Sequence, residues 1–231
     1  MKNPKMKWLI PGLAAVVVVV IAAVILLRGN LDVVGRESVT SFGSVLTAAN
    51  ASVTEDTLNG GWSLAAPDGS ARFIWSKDYS RSPMHDVMLE VDAQPFLDAG
   101  LDPDKLPDEF SFYNGKLLVG SKLGQDALTY RGAATPLASY EHIVGRYRSS
   151  IGYHAALDHY GVSLGGGNLF EWAKDMAKND KDIVFILDPA PFIAAGADPS
   201  AIDGWVFAKV TVDVNGRMAE VDKLLKPFDL I

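Results

Sequence analysis

One phrase of this sequence is written twice, 96 positions apart. Residues 91–103 read VDAQPFLDAGLDP and residues 187–199 read LDPAPFIAAGADP. When 86–103 is aligned with 182–199, eight of the eighteen positions are identical, where chance gives about one. Two copies are too few for a solenoid, which needs three or more stacked repeats, so the repeat predicts two equivalent halves of one fold. The identical pairs are Asp86/Asp182, Asp92/Asp188, Pro95/Pro191, Phe96/Phe192, Ala99/Ala195, Gly100/Gly196, Asp102/Asp198 and Pro103/Pro199.

Each copy of the phrase predicts a buried strand followed by a short helix. Residues 87–91 (VMLEV) and 183–187 (IVFIL) are apolar and partly β-branched, as buried strands are. Asp92 and Asp188 follow these strands, where a carboxylate can accept hydrogen bonds from the first free amides of a helix. Pro189 suits the first helical position, because the missing N–H of proline costs nothing there.

Two further identities predict how the short helices pack and end. Phe96 and Phe192 are expected in the core, and Gly100 and Gly196 are expected to end the helices in a left-handed conformation. The Asp-Pro pair that follows in each copy is expected to start a second turn in the same way. Every repeated residue therefore has a local structural role, although a repeated aspartate could instead mark a symmetric ligand or metal site.

Three turn signals predict hairpins. Asn-Gly dipeptides at 114–115 and 215–216 stand between alternating apolar residues, which is a strong short-range signal for a hairpin. A third turn is predicted at 67–69, which reads Pro-Asp-Gly. Each half is thus expected to contain a strand, a short helix and a hairpin.

Two longer helices are predicted between and within the halves. Thr135 can cap and Pro136 can begin a helix that carries one apolar stripe. Asn168 and Glu171 have the spacing of a capping box, which predicts a second helix over 169–179. The predicted fold is α+β, a mainly antiparallel sheet with packed helices. The stripe consists of Tyr140, Val144, Tyr147 and Ile151.

The amino terminus predicts a membrane anchor. Residues 8–27 form an uncharged run that would span about 30 Å as a helix, the thickness of the hydrocarbon core. A cleaved signal peptide is the alternative, but its apolar stretch is shorter and ends at a small-residue cleavage site, whereas Arg28 follows here. Three lysines precede the run, so the positive-inside rule places the amino terminus in the cytoplasm and residues 31–231 outside.

Charge and cysteine content narrow the partners of the outer part. The whole chain carries −7 and the first thirty residues carry +4, which leaves −11 on the rest. Such a surface repels nucleic acid and anionic lipid headgroups, so neither is expected as a partner. The chain has no cysteine, which favours a bacterial cell envelope over a eukaryotic secretory route.

The segment 152–168 is the strongest candidate for a site. His154 and Asp158 are four residues apart and would share one face of a helix, with His159 and Tyr153 close by. Two imidazoles and a carboxylate could bind a transition metal, but the spacing matches no recognised metal motif, and such a pair is more often a hydrogen bond near a helix end. No metal and no cofactor are therefore predicted.

Three glycines complete this candidate ligand-binding set. Gly165, Gly166 and Gly167 precede the predicted capped helix and could offer free amides to an anion. No lysine and hydroxyl residue follow in the order of a phosphate loop, so a plain turn is the simpler interpretation. The sequence also lacks the GxSxG pattern of a serine nucleophile elbow.

These features predict four regions and leave three functions open. Residues 1–30 are predicted as cytoplasmic terminus and anchor, 31–60 as linker and first helix, 61–134 as the first half, and 135–231 as helical insert and second half. The leading hypothesis is a non-catalytic interaction module or accessory subunit of an envelope complex, with a protein partner. The alternatives are a receptor-like domain that binds a small ligand between its halves, and a metal-dependent hydrolase that uses His154, Asp158 and His159.

Overall fold

A computed structural model describes residues 31–49, 52–77, 85–123, 135–177, 181–214 and 217–230. The predicted membrane anchor at 8–27 and the Asn-Gly pair at 215–216 lie outside the described residues. Within the described ranges, no helix has the length and apolar character needed to cross a membrane.

The chain runs through four helices and twelve strands within the described part. The helices are α1 (Val33–Ala48), α2 (Gln94–Asp98), α3 (Pro136–Arg146) and α4 (Ala190–Ala194). The first six strands are β1 (Val53–Asp56), β2 (Gly61–Ala65), β3 (Ala71–Ser76), β4 (Val87–Asp92), β5 (Phe110–Tyr113) and β6 (Lys116–Ser121). The other six are β7 (Ile151–His154), β8 (His159–Gly165), β9 (Asn168–Ala173), β10 (Ile183–Leu187), β11 (Val206–Val214) and β12 (Arg217–Phe228).

The strands form two antiparallel six-stranded sheets with the same internal order. The first sheet has the order β1-β2-β3-β4-β6-β5, and the second has β7-β8-β9-β10-β12-β11. In each sheet the first four strands form a meander, and the last two form a hairpin. The second strand of that hairpin, β6 or β12, pairs with the fourth strand of the meander, β4 or β10. The predicted α+β class with mainly antiparallel sheet is confirmed.

The two sheets pack face to face through aromatic side chains. Phe73 pairs with Leu89 in the first sheet, and Phe170 pairs with Phe185 in the second. Leu89 and Phe185 are equivalent positions of the repeat, which is offset by 96 residues. Their strand partners Phe73 and Phe170 therefore occupy matched positions in the two sheets. Their rings stack with centroids 4.1 Å apart and planes 4° from parallel, which places the core between the sheets.

Helices α1 and α3 pack on each other and close the core. Phe42 of α1 lies 4.2 Å from the ring of Tyr140 in α3, and both side chains are fully buried. Ser41 donates a hydrogen bond to the Ala173 carbonyl at the end of β9. Ser139 donates to the Ser76 carbonyl at the end of β3, so α1 is bonded to the second sheet and α3 to the first.

The repeated phrase adopts the predicted strand, short helix and turn in both copies. Phe96 and Phe192 are fully buried, as predicted, and Gly100 and Gly196 have φ angles of 98° and 99°. Pro103–Lys105 and Pro199–Ala201 each form one turn of 3₁₀ helix capped by the preceding aspartate.

The prediction that Asp92 and Asp188 cap the short helices is wrong for the first of them. Asp92 forms an ion pair with Lys116 on the neighbouring strand, and the residue at the N-cap of α2 is Ala93. Asp188 does accept from the amide of Ala190, at 3.0 Å. Pro189 is the N-cap residue of α4, one position before the predicted one.

The predicted turns at 114–115 and 67–69 and the predicted start of α3 agree with the structure. Asn114 and Gly115 both have positive φ and join β5 to β6, and Gly69 has φ of 70° between β2 and β3. Thr135 caps α3 by accepting from the Ala138 amide. The predicted apolar stripe is cut short, since α3 ends at Arg146 and Ile151 begins β7.

The helix predicted over 169–179 is a strand over much of its length. Asn168–Ala173 form β9, in which Phe170 and Trp172 face the core and Glu171 lies on the other side. The side chain of Asn168 donates to the Gly165 carbonyl and accepts from the Asp188 amide. Because these bonds occupy the side chain and pairing with β8 and β10 takes the backbone, no capping box forms.

Candidate functional site

A cleft of about 740 Å³ lies on the outer face of the second sheet, away from the core. All six strands of that sheet contribute to it, together with residues just before β7 and in the β7–β8 turn. This volume is typical of small-molecule sites. The lining consists of Ser149, Ser150, Ile151, Gly152, Tyr153, His154, Ala155, Ala156, Leu157, His159, Gly161, Ser163, Leu169, Glu171, Lys181, Val184, Ile186, Val210, Thr211, Lys223, Leu225 and Pro227.

The floor of the cleft is an apolar strip that crosses three strands. Leu169 of β9 pairs with Ile186 of β10, and Ile186 pairs with Leu225 of β12. In the adjacent row Val184 pairs with Pro227. Strand β10 is buried on both faces, although its outward side chains Val184 and Ile186 do not belong to the core between the sheets. The strip therefore offers an apolar ligand a surface separate from the folding core.

The first sheet carries charges where the second carries this strip. Arg72 pairs with Glu90 across β3 and β4, and their side chains form a two-fold hydrogen bond at 2.8 and 2.9 Å. Asp56 adds a second ion pair to Arg72 at 3.0 Å. Glu90 and Ile186 are equivalent positions of the repeat. Their strand partners Arg72 and Leu169 are therefore matched as well. At these matched positions the outer face of the second sheet is apolar, whereas that of the first sheet is charged.

A buried polar cluster lies beside the apolar strip; it consists of His154, His159 and Glu171. His154 and His159 are direct partners across β7 and β8. The Glu171 Oε2 atom is 3.7 Å from His154 Nδ1 and 3.8 Å from His159 Nδ1, which is ion-pair range but too long for a hydrogen bond. The side chains of His159 and Glu171 are only 3% and 5% exposed.

Several atoms of the polar cluster have no hydrogen-bond partner among the described residues. They are Glu171 Oε2, His154 Nε2, and both ring nitrogens of His159. Buried polar atoms are normally paired, and each orphan costs about 1–3 kcal/mol. The residues that carry these atoms line the cleft, so the polar cluster has hydrogen-bonding capacity left beside it.

Gly161 makes room for the carboxylate of Glu171. The two residues are partners across β8 and β9, and a Cβ built on Gly161 would lie 2.9 Å from Glu171 Cγ. Any larger residue at 161 would push the Glu171 side chain away from the two histidines. The cluster thus depends on one glycine in a strand, where a close approach is the usual reason for finding it.

The pKa shifts in the polar cluster are those of a carboxylate between two imidazoles. Burial alone would raise the pKa of the Glu171 carboxyl, but His154 and His159 outweigh it, so the pKa is below its usual value. The Glu171 carboxylate raises the pKa of His154, although partial burial opposes this. Glu171 is therefore ionised at neutral pH.

The predicted site residues divide between the cleft and its rim. Tyr153, His154 and His159 line the cleft. The helix expected to hold His154 and Asp158 on one face is wrong, because β7 and β8 form a hairpin there. Asp158 lies in its turn with φ of 54° and accepts a hydrogen bond from the Tyr153 hydroxyl at 2.6 Å, which raises the pKa of Tyr153.

The three predicted glycines form a turn and not the start of a helix. Gly165, Gly166 and Gly167 have φ angles of 84°, 58° and 79° and connect β8 to β9. The turn agrees with the simpler interpretation, but the helix expected after it is wrong, because β9 follows. The carbonyl of Gly167 instead accepts a hydrogen bond from Lys223 at 2.8 Å.

Sequence reasoning missed Glu171 as a site residue. It treated Glu171 as part of a capping box, although the alternation of 169–172, with Phe170 and Trp172 on one side, is also the pattern of a strand. That alternation would have placed Glu171 and Leu169 together on the face opposite the core. Leu169, Val184 and Ile186 carried no signal of their own, because apolar residues are expected in any buried strand.

No metal site is present in the described part of the chain, where no group of three or more His, Cys, Asp or Glu side chains is placed to hold an ion. No protein-family model, no curated protein and no solved structure matches this chain. The site itself therefore carries the functional argument.

Proposed function

We propose that this protein is a membrane-anchored, extracytoplasmic domain that binds a small amphipathic molecule in the cleft of its second sheet. The observation that carries the proposal is the contrast between the two outer faces. The matched pair Arg72 and Glu90 gives the first face charge, while Leu169 and Ile186 give the second an apolar floor. A polar cluster at one side of an apolar cleft is the usual design of a ligand site.

Duplication of one ancestral half would account for this arrangement. The same strand order in both sheets and the matched Phe73 and Phe170 support it. So do Asp86 and Asp182, which accept hydrogen bonds from the Leu123 and Leu230 amides respectively. After duplication, one sheet face can retain its structural ion pair while the other acquires a binding surface.

The test exchanges the two outer faces by mutation. The variant Leu169→Arg/Ile186→Glu introduces the charged pair of the first sheet into the cleft. The matched control, Arg72→Leu/Glu90→Ile, changes the first sheet in the opposite sense and leaves the cleft intact. The full-length chain is purified from its membranes, and small molecules that copurify are extracted and measured by mass spectrometry.

The wild type and the control are expected to retain one amphipathic molecule per chain, and the cleft variant is expected to lose it. Circular dichroism and melting temperature establish that the cleft variant is folded. Equal retention by a folded cleft variant would contradict the proposal. So would a wild-type chain that carries no such molecule and binds none of the octyl compounds described below.

The interaction-module hypothesis retains one supporting observation. Strand β5 is an edge of the first sheet, and Phe112 and Tyr113 at its end are 45% and 65% exposed. An edge strand with exposed aromatic residues can receive a strand from a partner. Chemical crosslinking in intact membranes, comparing wild type with Phe112→Lys, tests it: a crosslinked protein that disappears in the variant is expected.

A further inference from the structure

We propose that the molecule in the cleft presents a hydrogen-bond-donating head group, an ammonium or a hydroxyl, to the carboxylate of Glu171. This inference rests on the proposed function and names the chemistry of its ligand. Glu171 lines the cleft, and its buried Oε2 atom has no hydrogen-bond partner among the described residues. An N–H or O–H group placed there gains a charge-assisted hydrogen bond and removes the cost of the orphaned atom.

The cations of the cleft argue against an anionic head group. Lys181 bonds Asp229 at 2.5 Å, and Lys223 bonds the Gly167 carbonyl at 2.8 Å and lies 3.9 Å from Asp188. Both lysines therefore already have hydrogen-bond partners, whereas Glu171 Oε2 has ion-pair contacts with the two histidines but no hydrogen bond among the described residues. A carboxylate or phosphate ligand would have to displace these partners and would also meet the charge of Glu171.

The histidines complete the receptor for such a head group. His159 is almost fully buried, and neither of its ring nitrogens has a hydrogen-bond partner within the described residues. A neutral imidazole offers one donor and one acceptor. A hydroxyl can donate to Glu171 and accept from His159, whereas an ammonium can donate to both. The apolar strip then receives the rest of the ligand.

The matched position in the first sheet carries an apolar residue in place of the carboxylate. Met88 and Val184 are equivalent positions of the two repeats. Their strand partners are Ile74 in the first sheet and Glu171 in the second. Ile74 is therefore the residue equivalent to Glu171. A buried isoleucine serves the first sheet at this point. Since an apolar residue suffices for an equivalent strand, the buried charge at 171 needs a reason other than packing.

The test uses three probes with one chain length and three head groups: octylammonium, 1-octanol and octanoate. The full-length chain is reconstituted in nanodiscs and labelled at isoleucine methyl groups. Binding is followed at Ile186, which lines the cleft, with Ile202 as a buried reference outside it. Empty nanodiscs give the partition of each probe into lipid, so that free concentrations are known.

Octylammonium and octanol are expected to bind at least tenfold more tightly than octanoate. Glu171→Gln keeps the shape of the side chain and removes its charge, and it should weaken octylammonium binding at least tenfold while leaving octanoate binding equal or stronger. Asp104→Asn, which removes one exposed negative charge in the other half, is the control and should change neither. Comparing ammonium with hydroxyl in the wild type shows which donor the cluster prefers.

The outcomes separate this inference from the proposed function. If all three probes shift Ile186 with equal affinity, or if Glu171→Gln binds octylammonium as the wild type does, the head-group assignment is wrong and the cleft remains a ligand site. If no probe shifts Ile186, both proposals are contradicted. The Ile202 methyl signal and the melting temperature show whether Glu171→Gln has perturbed the fold. If it has, the preference of the wild type among the three probes decides the head-group assignment.

Discussion

Gly100 and Gly196 lie against each other where the two halves meet. A Cβ built on Gly100 would be 3.0 Å from the Gly196 carbonyl oxygen, and one on Gly196 would be 3.1 Å from the Gly100 oxygen. Beside them the Asp102 amide donates to the Ala195 carbonyl and the Asp198 amide donates to the Ala99 carbonyl, both at 2.9 Å. The repeated phrase thus contacts its own copy through its backbone.

This contact predicts that neither glycine tolerates a side chain. Gly100→Ala or Gly196→Ala should cost about 1–2 kcal/mol for the positive φ alone, and more because a methyl group would separate the paired backbones. Gly69→Ala is the matched control, since Gly69 has a positive φ and open space around it. Urea unfolding measures all three, and equal losses at the three positions would contradict a backbone contact between halves.

The matched phenylalanines should be coupled in stability. Phe96 and Phe192 are fully buried with ring centroids 4.9 Å apart, so each change to alanine should cost about 3–5 kcal/mol. The loss of unfolding free energy in the double variant should be smaller than the sum of the two single losses by about 0.5–3 kcal/mol, because each single variant already removes the contact between the two rings. Ile193→Ala, at an exposed site of the same short helix, should be nearly neutral.

The raised pKa of His154 predicts a pH-dependent contribution to stability. A group whose folded pKa is raised stabilises the protein below its unfolded pKa, and this contribution is lost as the pH rises through the folded value. His154→Gln should therefore destabilise more at about pH 5.5 than at about pH 8.5. Unfolding free energies at the two pH values measure the difference.

His85 is a control of opposite sign for this experiment. Burial lowers the pKa of His85, partly offset by Asp86, so its protonation disfavours the folded state. His85→Gln should accordingly become less harmful, relative to the wild type, as the pH falls. The same trend for both variants would show that the carboxylate of Glu171 does not govern His154.

The purified protein is expected to contain no stoichiometric transition metal. A structural metal would contribute its binding energy to folding, so its removal would lower the melting temperature. Because no such metal is expected, a chelator should leave the melting temperature unchanged. Elemental analysis of the full-length chain and of His154→Gln/His159→Gln gives the answer. One zinc per chain that is lost in the double variant would revive the hydrolase hypothesis.

We expect the predicted anchor at 8–27 to remain on the mature protein. The uncharged run at 8–27 is followed directly by Arg28 and not by a small-residue cleavage site. Intact-mass measurement of the membrane-extracted chain should therefore give a species that begins at Met1 or Lys2. A chain that begins near residue 30 would show instead that the run is a cleaved signal.

The sequence alone determined the elements that depend on neighbouring residues. The strands in both copies, the turn at Asn114-Gly115 and the capped start of α3 at Thr135 follow from local rules of β-propensity, positive φ and orphan amides. The burial of Phe96 and Phe192 followed from their repetition. These features involve few residues, so a short stretch of chain contains the information that specifies them.

Tertiary structure decided the strand at 168–173 and the composition of the site. A capping-box spacing and an apolar run fit a helix locally, but as a strand this segment pairs with β8 and β10 and buries Phe170 and Trp172 in the core. The same pairing places Glu171 beside His154 and His159, although these residues lie 17 and 12 positions away in the chain. Registry between strands is set by the packing of the whole sheet, and a site assembled across strands is therefore specified only when the sheet has formed.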